Sequence, residues 1–209
     1  MNRSARTLAI TLSAPALLLL AACGDKDDAN NSTSDTTTVA ATPPPAPAPA
    51  AAPAAGATVT DPQIAAIVVA ANATDSASGV LAQQKGTNPK VKDFGKRMET
   101  DHGGVNKQAV ALVTKLNVTP EENPTSRQLT QGGEQSRQQL SGLSGAAFDR
   151  GYIDHEVEYH QTVLQAIDGT LIPNAQNAEL KALLQQVRPA VAAHLQMAQD
   201  IQKELQAQP

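Results

Sequence analysis

Four residues of types that commonly bind metals hold equivalent positions in four segments of this sequence. They each fall within a series of apolar residues spaced three and four apart, and they are Asp75, His102, His160 and His194. Such spacing marks the buried face of an α-helix. Imidazole and carboxylate groups that converge in the core of a helical bundle suit Zn, Fe or Cu. The pattern therefore predicts a transition-metal site with one ligand from each helix.

Three carboxylates lie close to these histidines along the chain and are candidates to orient them. Glu99 lies one turn before His102, and Glu156 lies one turn before His160. Asp101 offers a further acceptor for a histidine N–H group. A carboxylate that accepts the second ring N–H of a metal-bound histidine fixes the orientation of the ring. We therefore predict Glu99, Asp101 and Glu156 as outer partners of the site.

The remaining histidine, His155, lies outside the apolar series of its segment. Its neighbours in the chain are Asp154 and Glu156, both charged. We expect His155 on a solvent-facing surface, with no part in the site.

Other interpretations of the buried polar residues stay open. They could form a hydrogen-bonded network that fixes helix packing without any metal. A di-iron oxidase would need Glu-x-x-His on two helices. The chain has one such match, from Glu99 to His102, and Val157 and Val191 stand where the other glutamates would be needed. No nucleophile motif is present and the single cysteine is Cys23, so we predict no catalytic residues.

Helical periodicity runs through the chain after residue 60. It predicts four long helices, A to D, and a short segment interrupted by Gly132-Gly133; in chain order they span about 61–84, 89–117, 125–142, 144–170 and 174–206. Asp61 is the expected cap of helix A, with Pro62 in its first turn. No segment alternates as a strand does. Residues 61–209 are therefore predicted to be all-α, an up-and-down four-helix bundle with an extra short helical segment between helices B and C.

The height of each candidate ligand along the bundle decides whether they meet. In an antiparallel bundle the A–B and C–D turns lie at the same end, so we expect Asp75, His102 and His160 roughly 10–14 residues from it and His194 about 17–20. At about 1.5 Å per residue these levels spread over about 10–15 Å. This expectation permits one site but equally allows two separate layers.

The first sixty residues predict export and anchoring rather than folding. Residues 1–22 have two arginines before an apolar stretch, as in a secretory signal peptide. Leu20-Ala21-Ala22-Cys23 resembles a bacterial lipobox, which implies that Cys23 is lipidated after cleavage; an ordinary signal peptide with an incidental cysteine is the alternative. Residues 23–60 are polar and then rich in proline and alanine, which predicts a disordered tether.

These features predict a protein of the cell envelope, attached to a membrane through lipidated Cys23. Gly24 rather than aspartate after the cysteine favours the outer membrane, with the domain facing the periplasm. The net charge is −4 and no basic block or aromatic platform occurs, so we expect no nucleic-acid partner. The sequence indicates no particular protein partner.

Several motifs together resemble one bacterial family. They are residues 72–82, Met98-Glu99-Thr100-Asp101-His102, residues 143–153, His160, and residues 189–195. In this order they are similar to domain-of-unknown-function family 4142, whose members are labelled outer membrane proteins. The resemblance implies a ferritin-like four-helix bundle and no established activity. This chain departs from the family pattern at Asp75, where glutamate is usual, and at Gly103-Gly104, where each glycine costs roughly 1 kcal/mol in a helix.

Overall fold

Long α-helices make up nearly all of the chain that the computed structural model describes, residues 58–207. The five long helices are α1 (Asp61–Lys85), α2 (Pro89–Lys115), α3 (Pro124–Ser141), α4 (Gly145–Ala166) and α6 (Ala178–Gln206), and α5 (Ile172–Asn174) is a three-residue helix before α6. A π-helical turn, Ile167–Leu171, joins α4 to α5. No strand occurs within the described range, so the predicted all-α class is confirmed. The predicted signal peptide and all but the end of the predicted tether lie outside the described residues.

Polar side chains begin four of the helices by accepting hydrogen bonds from the first turn. These caps are Thr60, Asn88, Asn123 and Asn177, before α1, α2, α3 and α6. They satisfy N–H groups that have no partner inside the helix. Asp61, the expected cap, is instead the first residue of α1. Its carboxylate accepts the backbone N–H groups of Gln176 and Asn177 at 2.9 and 2.8 Å, which ties the start of α1 to the turn before α6.

Four of the long helices form a bundle in which α1 contacts α2, α2 contacts α6, α6 contacts α4, and α4 contacts α1. The fifth, α3, packs against α1 and α4. By length and composition α1 is apolar enough to cross a membrane, with a mean hydropathy of 1.5 over an 18-residue window. Half of that window is buried, and α1 packs against three other helices. Within this domain α1 is therefore a core helix.

Because of α3, the α1–α2 turn and the turn before α6 lie at opposite ends of the bundle rather than at the same end. Because α3 runs for 18 residues, it carries the chain back along the bundle before α4 begins. The start of α4 therefore meets the α1–α2 turn, where Asp149 accepts the backbone N–H groups of Thr87 and Asn88 at 2.9 Å each. The turn before α6 lies at the other end, beside Asp61. The expectation that the two turns share one end is wrong.

This arrangement puts the candidate ligands at nearly one height. At the end near Asp61, α1 begins at residue 61, α2 ends at 115, the helical run from α4 through the π turn and α5 ends at 174, and α6 begins at 178. Counted from there, Asp75, His102, His160 and His194 lie 14, 13, 14 and 16 residues into their helices. The four positions differ by at most three residues, which is about 4.5 Å along a helix. The candidate ligands therefore lie in one layer, and the alternative of two separate layers does not apply.

Glycines allow α3 and α1 to approach closely and do not interrupt the helices. A Cβ atom at Gly133 would collide with the side chain of Thr74, so only glycine permits this contact. The Thr74 hydroxyl donates to the carbonyl oxygen of Leu129 at 3.3 Å. The predicted interruption at Gly132-Gly133 is wrong, since α3 is continuous there, and α2 likewise continues through Gly103-Gly104. Tertiary packing offsets the weak helix propensity of these glycines.

Candidate metal centre

The four predicted ligands converge in the centre of the bundle. The exposed fraction is 1% for Asp75 and His160, 3% for His194 and 6% for His102. The ring centroids of the three histidines are 5.2 to 5.6 Å apart. One nitrogen from each ring lies within 4.8 Å of the others. The structure thus brings together residues from α1, α2, α4 and α6.

Apolar side chains enclose this layer on both sides. Toward the Asp61 end lies a buried cluster that includes Ile64, Ile67, Leu171 and Leu184. Toward the other end lies a second cluster that includes Phe94, Met98, Tyr152 and Ala198. Such surroundings exclude water and strengthen the electrostatic interactions among buried polar groups.

Each histidine directs one ring nitrogen outward to a hydrogen-bond acceptor. The three pairs are His102 Nδ1 with Asn72 Oδ1 at 2.9 Å, His160 Nδ1 with the backbone oxygen of Glu156 at 2.9 Å, and His194 Nε2 with Asp101 Oδ2 at 3.0 Å. The amide of Asn72 is oriented by its own Nδ2, which donates to the carbonyl oxygen of Val68 at 2.7 Å. Because the three partners are acceptors, each outward nitrogen carries the proton of a neutral ring.

The other nitrogen of each ring therefore presents a lone pair to the centre of the layer. These inward atoms are His102 Nε2, His160 Nε2 and His194 Nδ1, and none has a hydrogen-bond partner within residues 58–207. Neither carboxylate oxygen of Asp75 has a hydrogen bond of good geometry in that range, but the Glu156 carboxyl lies close enough to share a proton with it. Asp75 Oδ2 lies 3.0 Å from His102 Nε2 and 3.4 Å from His160 Nε2, without hydrogen-bond alignment. Acceptor atoms this close need a proton or a cation between them.

Burial keeps two of the histidines neutral. Burial, and then the neighbouring His194, lower the pKa of His102 to about 3. Burial also lowers the pKa of His160 to about 4, although the charge of Asp75 opposes the change. At neutral pH these two imidazoles hold no extra proton, which is the form that binds metals.

Burial has the opposite effect on the carboxyl groups. It raises the pKa of Asp75, against the opposing charges of His160 and His194. It raises the pKa of Glu156 well above its usual value, and the nearby Asp75 adds to the increase. Glu156 Oε2 lies 3.4 Å from His160 Nδ1, and one ligand atom from each of Asp75, Glu156 and His160 lies within 4.8 Å of the others. Both carboxyls favour the protonated form unless a cation is present.

Of the three residues predicted to orient the histidines, Asp101 and Glu156 contact a histidine of the layer and Glu99 does not. Asp101 accepts from His194 rather than from its chain neighbour His102. Glu156 meets His160, mainly through its backbone oxygen. The Glu99 side chain is exposed and accepts from Gln83 Nε2 at 2.7 Å, so its predicted role as an outer partner is not supported by the structure.

The expectation for His155 is wrong, because its side chain is buried with an exposed fraction of 3%. Its ring centroid lies 5.8 Å from that of Tyr159. The prediction assumed that α4 buries one face, but α4 contacts α1, α3 and α6 and buries more than one. His155 also contributes to the electrostatic environment of Asp75.

Asn72 is a functional candidate that the sequence reasoning did not single out. It orients His102 from α1 and is 9% exposed. Its position three residues before Asp75 places both side chains on one face of α1, which is the signal that could have identified it. The hydroxyl of Tyr159 also reaches α1, where it donates to the Ala71 carbonyl oxygen at 2.9 Å.

The fold and site define an all-α helical bundle with a buried layer of three histidines and one aspartate. The chain belongs to the family described as Domain of unknown function (DUF4142), whose model matches residues 46–201. The match confirms the resemblance carried by the sequence motifs and extends from before α1 into the last turns of α6. No curated protein and no solved structure matches the chain.

Proposed function

We propose that this protein is an envelope lipoprotein whose helical domain binds one transition-metal ion in its core. The proposed nitrogen ligands are His102 Nε2, His160 Nε2 and His194 Nδ1, and Asp75 is the proposed carboxylate ligand. One observation carries the proposal: in each of the three clustered histidines one ring nitrogen is hydrogen-bonded to an outer acceptor, and the other is buried without a partner. Hydrogen bonds from the outer nitrogen are the usual means by which proteins orient metal-binding histidines.

The spacing of the donor atoms is compatible with a single ion. Tetrahedral bonds of about 2.05 Å to nitrogen hold the donor atoms about 3.3 Å apart. One nitrogen from each of the three histidines lies within 4.8 Å of the others, so small side-chain shifts bring the rings onto one ion. A set of three imidazoles and one carboxylate suits Zn, Fe or Cu better than Mg or Ca, which prefer oxygen ligands.

The proposed role of the ion is binding and stabilisation rather than catalysis. Its ligands come from α1, α2, α4 and α6, so one ion would link all four helices of the bundle. An ion that binds only the folded state stabilises the domain in proportion to the logarithm of its concentration over its dissociation constant.

The cellular location in this proposal comes from the sequence before residue 58. The lipobox at Cys23 and the tether that follows support attachment to the outer membrane on its periplasmic side. Labelled palmitate supplied to an expressing bacterium should be incorporated into the protein and lost in Cys23→Ser. Equal labelling of the two proteins, or none in either, would overturn the attachment.

Metal titration of the purified full chain tests the central part. The protein is stripped with a chelator, incubated with Zn²⁺, Fe²⁺ or Cu²⁺ and desalted, and its metal content and thermal midpoint are measured. We expect one ion per chain for at least one metal, together with a raised midpoint. Substoichiometric metal, with a midpoint that chelator does not change, would reject metal binding.

The second candidate function is a structural or interaction module without metal. The raised pKa of Asp75 favours it, because a protonated Asp75 can donate a hydrogen bond to an inward histidine nitrogen. In that case the polar layer only fixes helix packing. Chelator would then leave both metal content and stability unchanged, the same result that rejects the first candidate.

A further inference from the structure

An apolar cavity adjoins the layer of histidines on the side where α1 begins. Its volume is about 70 Å³. Its walls are almost entirely apolar and include Val68, Val163, Ile167 and Val191, while the layer itself forms its polar end. A space of this size exceeds the roughly 10–15 Å³ that one water molecule needs. Away from the polar end, however, the walls offer water no hydrogen-bond partners, and apolar cavities of this kind stay dry.

All four helices of the bundle contribute to the walls, each through at least one valine. These are Val68 of α1, Val105 of α2, Val163 of α4 and Val191 of α6. A β-branched side chain in a helix has one strongly preferred rotamer, so the valines cannot readily turn to fill the space. The walls therefore lack the dispersion contacts that a close-packed interior provides. A guest that restores those contacts gains them without displacing bound water.

The π-helical turn shapes one wall of this cavity. Ile167 and Leu171, its first and last residues, both line the space. A π turn shifts the side chains that follow it around the helix axis, and such turns occur frequently at functional sites. The irregularity is thus located at the cavity, while α1, α2 and α3 are regular throughout.

The side chains around the cavity exclude a charged guest. No lysine or arginine lines it, and its two carboxyl groups belong to Asp75 and Asp101. An anion would meet these groups without a cation to pair with. Asp101 already accepts from His194, and a cation among the valines would lose its hydration with nothing in return. The part of the cavity beyond the polar end therefore suits a neutral molecule.

We infer that the cavity binds a neutral apolar molecule of about three heavy atoms or fewer, the class of dissolved gases and short hydrocarbons. The size follows from the volume. A buried apolar cavity of about 150 Å³ accepts benzene, with its six carbon atoms, or xenon, and the space here is about half as large. Local fluctuations of the native state admit molecules of this size. The inference goes beyond the proposed metal binding and does not depend on it.

Methyl NMR of the chelator-treated full chain under xenon, dioxygen or propane tests the inference. Xenon and propane should shift the methyl signals of Val68, Val163 and Ile167 saturably, with one guest per chain, and paramagnetic dioxygen should speed their relaxation. Leu140 and Ile153 are the internal controls, because both are fully buried but do not line the cavity. Dioxygen stands for the dissolved gases and propane for the hydrocarbons, so the two arms separate these sources. Equal changes at the control methyls, or no saturable response of the lining methyls to any guest, would overturn the inference.

Charged and larger molecules test the proposed class of guest. Ethylammonium has the shape of propane but carries a charge, and acetate is an anion of similar size. Neither should shift the lining methyls of the metal-free protein, because the apolar walls cannot replace their hydration. Benzene should not bind either, since it has twice as many carbon atoms as propane. Binding of ethylammonium or acetate in place of propane, or of benzene as tightly as propane, would contradict the inferred class.

Val163→Phe adds an aromatic ring to the cavity wall without changing a proposed metal ligand. It should abolish the response to xenon and propane, whereas Val110→Phe, at a position that is 49% exposed and outside the cavity, should keep it. The wild-type titrations decide the question even if Val163→Phe does not fold. A chain that binds no metal refutes the proposed function alone, and lining methyls that do not respond overturn this inference alone.

Discussion

Asp75 Oδ2 lies 3.0 Å from His102 Nε2, yet the two atoms are not aligned for a hydrogen bond. The outer nitrogen of His102 donates to Asn72, so the inner nitrogen faces the carboxylate as a lone pair. His160 Nε2 lies 3.4 Å from the same carboxylate oxygen. His194 packs against both rings, with its Nε2 on Asp101 and its Nδ1 buried without a hydrogen-bond partner. A cation among these atoms would bind all four acceptors, which is the physical basis of the predictions that follow.

Removal of a proposed ligand should abolish tight metal binding. His102→Ala, His160→Ala and His194→Ala each leave two imidazoles, and we expect the retained metal after desalting to fall well below one ion per chain. His155→Ala is the matched control, since it also removes a buried histidine from α4 but none of the inward nitrogens. Metal content by elemental analysis checks this prediction. Retention of metal by all three ligand variants would contradict it.

Asp75→Asn should have opposite effects on the metal-free and metal-bound protein. Burial raises the pKa of Asp75 above the 3.8 of an ordinary aspartate, so ionisation at pH 7 opposes folding. The isosteric amide removes that cost, and the metal-free variant should be about 1–3 kcal/mol more stable. Its stabilisation by Zn²⁺ should be smaller than in the wild type.

Urea unfolding with chelator and with Zn²⁺ measures both effects. Asp93→Asn, at an exposed position of α2, should show neither. A purely structural network predicts instead that Asp75→Asn changes stability equally under the two conditions.

Substitutions of Asp101 and Glu99 should differ in their effect on metal affinity, although only one residue separates the two in the chain. Asp101 accepts from His194 Nε2 and so holds the lone pair of Nδ1 toward the centre. Loss of such a partner typically weakens metal affinity about 10–100-fold, and we expect this for Asp101→Ala. Glu99→Ala should leave affinity unchanged, because Glu99 is bound to Gln83 at the surface. Competition with a chromophoric chelator measures the affinities, and equal losses for both variants would refute the assignment.

The stability of the metal-free protein should carry a pH dependence due to His102. The pKa of His102 is about 3 in the folded state against 6.5 for an ordinary histidine. Between these values the unfolded chain takes up a proton that the folded state does not, so a falling pH favours unfolding. Stability from His102 is therefore present above pH 6.5 and is lost as pH falls toward 3.

His102→Gln removes this contribution. The unfolding free energy of the wild type minus that of the variant should decrease from pH 7 to pH 5, by up to about 1.4 kcal/mol per pH unit below the ordinary value. Taking the difference cancels the opposite trend from Asp75 and Glu156. Urea unfolding in chelator measures it, and a difference that is constant with pH would disprove the lowered pKa.

Two glycine substitutions test the helix packing. An added Cβ at Gly104 meets no atom within 4 Å, so Gly104→Ala should stabilise α2 by about 1 kcal/mol. An added Cβ at Gly79 would collide with the carbonyl oxygen of Gly95, so Gly79→Ala should destabilise the α1–α2 contact by about 1–3 kcal/mol. Urea unfolding measures both, and changes of the same sign would contradict the described packing.

The sequence predicted the helices and the inward direction of the candidate ligands, because both follow from local periodicity. Leu180, Leu184, Val191 and His194 all lie buried on one face of α6, as their spacing requires. Helix ends were also readable where proline and asparagine occur together, as at Asn88 and Pro89.

The heights of the candidate ligands along the bundle could not be predicted from local sequence patterns, because they depend on the path of the chain between helices. Treating the segment at Gly132-Gly133 as a short interruption placed both turns at one end, whereas contact between Gly133 and Thr74 keeps α3 long and continuous. The burial of His155 and the pairing of Asp101 with His194 depend on the same tertiary arrangement. Periodicity shows which face of a helix is buried but not which neighbour covers it.

The most direct test of the central claim is anomalous X-ray diffraction at the zinc edge from crystals of the Zn²⁺-loaded protein. We predict one peak in the bundle core, about 2.0–2.1 Å from His102 Nε2, His160 Nε2 and His194 Nδ1. A core without anomalous density, with zinc only at surface carboxylates or absent, would contradict the account.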